Sequence, residues 1–276
     1  MLPLKTRLIA IKKQNFEFPD GVDPAAFLNE MLENIGAVDS ELRDDLIFTC
    51  LYEWIARKPV FSVQELRGAF PLLLDSRHMF FRIAEEDTDA VFTRSFSVLA
   101  LALILYRHRQ EAFLSREDLQ HMLEALCRFV SEERDLRGFV PGSGWVHAIA
   151  HSADALDELV QCQELDKTDL SKVLQTILRS MSAAQAPYVQ REDERMVTAL
   201  LSLLGRNLIP MSEVVTCLVD AVTAIHENPP TPLDFSRWNF RNFLRALYFR
   251  LLREGWVDYA AEILSIEASL SAMPPL

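Results

Sequence analysis

The sequence predicts an all-α protein, and three observations carry that prediction. Residues that start and stop helices recur along the whole chain. The segments between them place apolar side chains at helical spacing. No stretch shows sustained apolar–polar alternation between turn dipeptides, so no strand is required. The pattern gives about ten helices, arranged either as an irregular α–α solenoid of the HEAT or armadillo kind or as a helical bundle. A single all-helical domain over residues 1–276 is expected, with 1–20 as an N-terminal extension. No clean internal repeat separates the solenoid from the bundle.

Each element has its own signals. Asp23 followed by Pro24 reads as an N-cap and a first-turn proline, and Gly36 as the C′ residue that closes that helix. A second helix from Ser40 to Lys58 stops before Pro59. Ser62-Val-Gln-Glu65 is a capping box and Ser115-Arg-Glu-Asp118 its acidic variant. Pro71 ends or kinks the helix begun at Ser62. The helix from Asp89 to Arg109 contains the longest apolar run, Val98 to Tyr106, far shorter than the roughly 20 residues that span a bilayer. It therefore reads as a buried core helix. Another helix from Glu117 to Glu133 leads into a glycine-rich turn. Beyond Glu164, helices are expected over Asp169–Met181, Gln190–Leu204, Ser212–Glu227, Phe235–Glu254 and Trp256–Leu270, separated by Gly205, Pro229-Pro230 and Gly255.

Composition narrows the classes of function. Half of the 276 residues are apolar and a quarter charged, which describes a folded globular chain. Against 28 Lys and Arg stand 40 Asp and Glu, a net charge of −12 that repels phosphate backbones and anionic membranes, so neither nucleic acid nor membrane is an expected partner. Cys50, Cys127, Cys162 and Cys217 lie far apart in helical context with no zinc spacing and read as reduced thiols of a cytoplasmic protein. The first residues are basic, but charge interrupts their apolar segments, and they do not read as a signal peptide.

The chemistry concentrates between Asp135 and Val160. A glycine-rich turn, with Gly138, Gly142 and Gly144, opens into a helix expected to start at Trp145. At about 100° per residue His147, His151, Asp154 and Glu158 fall within roughly 60° of one another, with Trp145, Ile149, Leu156 and Val160 opposite. Together with Val91-Phe-Thr-Arg94-Ser95-Phe96, Glu133-Arg-Asp135-Leu-Arg137-Gly138 and Glu192-Asp-Glu194-Arg195, this stretch resembles the signature segments of a bacterial family, domain of unknown function 2785, over roughly Asp23 to Arg195. The resemblance implies a single-domain bacterial cytoplasmic protein and brings no activity with it.

Several chemistries fit these residue types. Two imidazoles at i and i+4 with a carboxylate one turn on, His147, His151 and Asp154, could hold a divalent transition metal, and Glu194 or Glu192 could add a carboxylate from another helix. Ala148 stands where a zinc protease would carry its glutamate. The glycines and the helix N-terminus behind them, with Arg137, could bind an anion. The structural alternatives are a polar face satisfied by a neighbouring helix, and Arg137 paired with Asp135. Ser143 lacks the strand–turn–helix setting of a nucleophile. Arg94 interrupts an apolar helix, so it reaches the site or pairs with a core acid. Arg237, Arg241 and Arg245 form a basic stripe that holds an anionic partner or pairs with neighbouring acids.

The leading reading is a helical-repeat module that binds a small-molecule or protein ligand around residues 135–158. Its site residues are Arg94, Asp135, Arg137, Gly138, Trp145, His147, His151, Asp154, Glu194 and Arg195. The alternative is a metal-dependent hydrolase using His147, His151 and Asp154 as ligands, with Arg137 or Arg94 as anion stabiliser.

Overall fold

Leu4, Leu8 and Ile11 repeat at the spacing of one helix face, and in the computed structural model they are buried on α1 (Leu4–Lys13). The structure describes residues 2–227 and 235–271; Pro229-Pro230, read as a separator, lies outside them. The segment read as an extension is tied to the core, because Arg7 pairs with Glu30 and the Trp54 indole donates to the Phe16 carbonyl at 2.8 Å. In α2 (Pro24–Glu33) the Asp23 carboxylate caps the Ala25 amide as its sequence suggested.

Gly36 serves a different purpose from the one expected. It has no left-handed φ; a Cβ there would sit 1.9 Å from Thr93 Oγ1 and 2.6 Å from Thr93 Cα, so glycine is needed for close passage of two backbones. The helix after it, α3 (residues 41–57), is continuous but wound partly as π-helix, over Glu41–Phe48 and Glu53–Arg57 on either side of Thr49–Tyr52. Such widened turns cluster at functional sites and leave no mark in the sequence.

Both capping boxes form, Ser62 with Glu65 at the start of α4 (Val63–Leu73) and Ser115 with Asp118 at the start of α6 (Arg116–Glu132). Pro71 remains inside α4, which ends at Leu73. Between them runs α5 (Ala90–Gln110), long and apolar enough by composition to cross a membrane, yet 78% of its most apolar window is buried inside the protein. The remaining helices are α7 (Ala148–Val160), α8 (Lys167–Ser182), α9 (Glu192–Gly205), α10 (Met211–Glu227), α11 (Phe235–Arg253) and α12 (Val257–Ser271). Twelve helices are thus present among the described residues.

From α5 onward the helices pack in two rows. One row places α5, α7, α9 and α11 side by side, and the other α6, α8, α10 and α12. Cross-packing of α6 on α7 and α8 on α9 joins the rows over a buried cluster that runs from Leu4 to Leu270. The basic stripe on α11 is absorbed by α12: Arg245 pairs with Glu267 at 2.8 Å and Arg237 donates to the Leu270 carbonyl at 3.1 Å, while Arg241 lies over the Trp238 ring at 5.5 Å.

The glycine-rich turn corrects the expectation that no strand exists. Phe139–Val140 (β1) and Gly144–Trp145 (β2) form an antiparallel hairpin, with Phe139 opposite Trp145 and Val140 opposite Gly144. Two-residue strands are too short to show alternation. Gly142 and Gly144 both sit at φ +85, which turns the chain back on itself. This is the one sheet among the described residues.

Candidate functional site

The hairpin is held against α3 by Arg43, which the sequence alone did not single out. Its guanidinium is fully buried, lies 4.1 Å from the Phe92 ring centre and 4.9 Å from that of Phe96, and donates to the Ala37 carbonyl at 2.7 Å and the Ser143 carbonyl at 2.6 Å. Gly144 makes this possible, since a Cβ there would meet Ser40 Cβ at 2.8 Å and Arg43 Nη2 at 3.0 Å. Gly138 is constrained likewise by the Gln190 side chain.

The hairpin also moves the helix start. His147 takes the left-handed conformation, φ 50, as the residue before α7, so Trp145 and His147 do not occupy opposite sides of one helix as expected. Instead their rings stack with centres 4.4 Å apart and planes 17° apart. His151, one turn into α7, lies 5.7 Å from His147, centre to centre, and edge-on to Phe96 at 5.2 Å.

A cavity of about 530 Å³ opens beside these rings, walled by Trp145, His147, His151 and Asp154 from the central stretch. Arg195, Arg191 and Gln190 close it from the start of α9, and Asp44 and Phe48 from the π-wound part of α3. Phe96 and Leu99 of α5 complete the apolar wall. Of the sequence-derived site residues, Trp145, His147, His151, Asp154 and Arg195 therefore come together.

Hydrogen bonding fixes the chemistry of His151. The Ser95 hydroxyl donates its one proton to the Val146 carbonyl, so toward His151 Nδ1, 2.8 Å away, it acts as acceptor. Nδ1 thus carries the imidazole proton and Nε2 the lone pair, and the hydrogen bond His151 makes through its ring to Ser95 uses Nδ1, not Nε2. Burial holds the His151 pKa well below the usual histidine range, with the nearby His147 and Arg195 acting the same way. His147 is lowered to about 4, first by burial and then by Arg195, and its Nδ1 is buried without a partner. Both rings are neutral at pH 7. Asp154 is raised to about 6 by burial, against the opposing effect of Arg195, which donates to it at 2.5 Å.

The other candidates lie elsewhere, in a saturated cluster. Arg94 is buried with Glu133 in a two-pronged pair at 2.6 and 2.7 Å, and donates as well to the carbonyls of Phe81, Arg82 and Glu85. Asp135 accepts from Arg137 at 2.8 and 2.5 Å and from the Asp87 amide at 3.1 Å, and Arg137 also reaches the Thr88 carbonyl. These are the structural pairings, so neither arginine is presented as an anion stabiliser. Glu194 pairs with Arg191 and does not line the cavity, while the buried Glu192 accepts the Gln190 amide at 2.8 Å.

Metal ligation is corrected too. Among the described residues no three His, Cys, Asp or Glu side chains are grouped so as to hold a metal ion. Asp154 is turned to Arg195, and the His151 Nδ1 to Ser95.

A family model described as protein of unknown function (DUF2785) matches residues 79–249, more than half of the 276-residue chain. The chain belongs to that family. All ten sequence-derived site residues fall inside the matched span, whereas Arg43, Asp44 and Phe48 precede it. No curated protein and no solved structure matches the chain.

Proposed function

We propose that this protein is a helical-repeat binding module whose ligand is a small molecule held in the cavity between α3, α7 and the start of α9. The observation that carries the reading is the unpartnered His147 imidazole: its Nδ1 is buried without a hydrogen bond at a cavity that His151, engaged with Ser95 through Nδ1, also lines. A buried polar atom left unpaired costs about 1–3 kcal/mol, and a bound group that satisfies it recovers that cost. The exposed face of Trp145 supplies area for stacking, and Arg195 keeps guanidinium donors beyond the one that reaches Asp154. The two-row packing of α5 to α12 supports the repeat reading, and four free thiols support a cytoplasmic setting.

The test is a thermal-shift and NMR screen of a metabolite collection against the full chain, with histidine side-chain nitrogens labelled. A binder is expected to raise the melting temperature and to move the His147 and His151 nitrogen resonances, with both effects requiring higher ligand concentration in Arg195→Ala and Trp145→Ala. Binders that leave both histidines unmoved would place the ligand elsewhere and end this reading.

A further inference from the structure

A second cavity, of about 550 Å³, adjoins the first and shares Phe48, Leu99 and Asp154 with it. It continues along α3 and α5, where Tyr52, Ala102, Leu103 and Tyr106 line it. The two make one trough, with a head end at His147, His151 and Arg195 and an apolar tail end on Leu103 and the two tyrosines.

Charges along the trough are already matched within the protein. Asp44 pairs with Arg43, Asp154 with Arg195, Arg191 with Glu194, Arg57 with Glu53, and Glu158 with Arg109. Asp157, the one lining carboxylate without a cation among the described residues, accepts from the Gln161 side chain. A bound anion would have no free cation to meet and would face Asp157; a bound cation would face Arg195, whose charge already acts on both imidazoles. The His151 Nε2, left as acceptor because Nδ1 is turned to Ser95, is complemented by a donor from the ligand.

We infer that the trough takes an uncharged amphipathic molecule whose head group carries an N–H or O–H donor for His151 Nε2 and whose apolar tail lies along Phe48, Leu99 and Leu103. A primary amide is the simplest head of this kind, because its carbonyl can also accept from Arg195. The inference rests on the proposed binding site and specifies what that site selects.

Calorimetric titration of the full chain with octanamide, methyl octanoate, octanoate and octylamine tests it. Octanamide is expected to bind at least about tenfold more tightly than methyl octanoate, which lacks the donor, and more tightly than either charged analogue. Acetamide, which lacks the tail, should bind at least about tenfold more weakly than octanamide. His151→Phe should remove the advantage of octanamide over methyl octanoate. Ser95→Ala, which frees the ring tautomer without touching the ligand, should reduce that advantage while octanamide still moves the His151 nitrogen resonances. Equal binding of octanamide and its ester, or a preference for octanoate or octylamine, would overturn the inference. Should octanamide fail while another small molecule moves the His147 and His151 resonances, the ligand class falls and the site stands; if no small molecule moves them, both fall.

Discussion

Two polar clusters flank the same glycine-rich hairpin and differ in one respect. In the first, built on Arg94, Glu133, Asp135 and Arg137, every charged group is engaged: Glu133 takes both prongs of Arg94 as well as the amides of Arg134 and Asp135. In the second, built on Trp145, His147, His151, Asp154 and Arg195, the His147 imidazole retains an unused hydrogen-bonding atom beside open space. The presence of an arginine–carboxylate pair does not separate the clusters, since each contains one. What separates them is whether the protein completes its own hydrogen bonds, and only the incomplete cluster has capacity left for a ligand.

The sharpest break of this comparison is in the saturated cluster. Glu133→Ala should destabilise the protein by about 3–5 kcal/mol, because it strands the buried Arg94 charge. The double variant Arg94→Met/Glu133→Leu should recover much of that loss, since removing both charges leaves neither uncompensated. Chemical denaturation of both variants measures the difference. A single variant as stable as wild type would mean the pair is solvated and the cluster is not the closed network described.

The open cluster is probed by pH. His147, with its folded pKa lowered to about 4, binds fewer protons in the folded state than in the unfolded state, where histidine titrates near about 6.5. Its contribution is therefore intact above pH about 6.5 and is lost as pH falls toward about 4, by on the order of 3 kcal/mol at most. Asp154, raised to about 6, works in the opposite direction, so stability rises from this group as pH falls below about 6 toward the usual carboxylate range. Melting curves from pH 7 to pH 4.5 should show a smaller net loss in His147→Phe than in the wild type. Equal losses would show that His147 is protonated without cost.

Much of the fold was legible because helix signals are local. Asp23, Ser62 and Ser115 each cap the helix that follows, and the boundaries of α5, α8, α10 and α11 fall within two residues of those the spacing suggested. The site was legible only in part. Histidine and tryptophan stood out in the sequence, but the hairpin that stacks Trp145 on His147 depends on Arg43, about a hundred residues away from Ser143 along the chain. Asp44 and Phe48 enter through a π-wound turn that no periodicity reveals. Arg94 and Arg137 look like ligand-binding residues until their partners are known, and those partners are set by packing rather than by local sequence.

Glycine substitutions in the hairpin sharpen the link between the clusters. Gly144→Ala should cost roughly 1–3 kcal/mol, combining a left-handed φ with collision against Ser40 and Arg43. Gly142→Ala shares the same φ of +85 but meets nothing within 4 Å, so it should cost about 1 kcal/mol, from the backbone alone. If urea midpoints place the two substitutions level, the Arg43 brace does not hold the hairpin.

Trp145→Ala should have an effect on stability as small as that of Gly142→Ala and the clearest effect on the site. The indole is 40% exposed and rests on His147 and on Phe139, whose ring centre is 4.9 Å away, so its removal should cost only about 1 kcal/mol of folding free energy. The same substitution opens the cavity wall and leaves one His147 face without its stack. Octanamide affinity should then fall at least about fivefold while the melting temperature changes by only a few degrees, a separation that a purely structural aromatic would not produce. A variant that lost stability and binding in proportion would place Trp145 with the saturated cluster, as a brace for the hairpin and not a wall of the site.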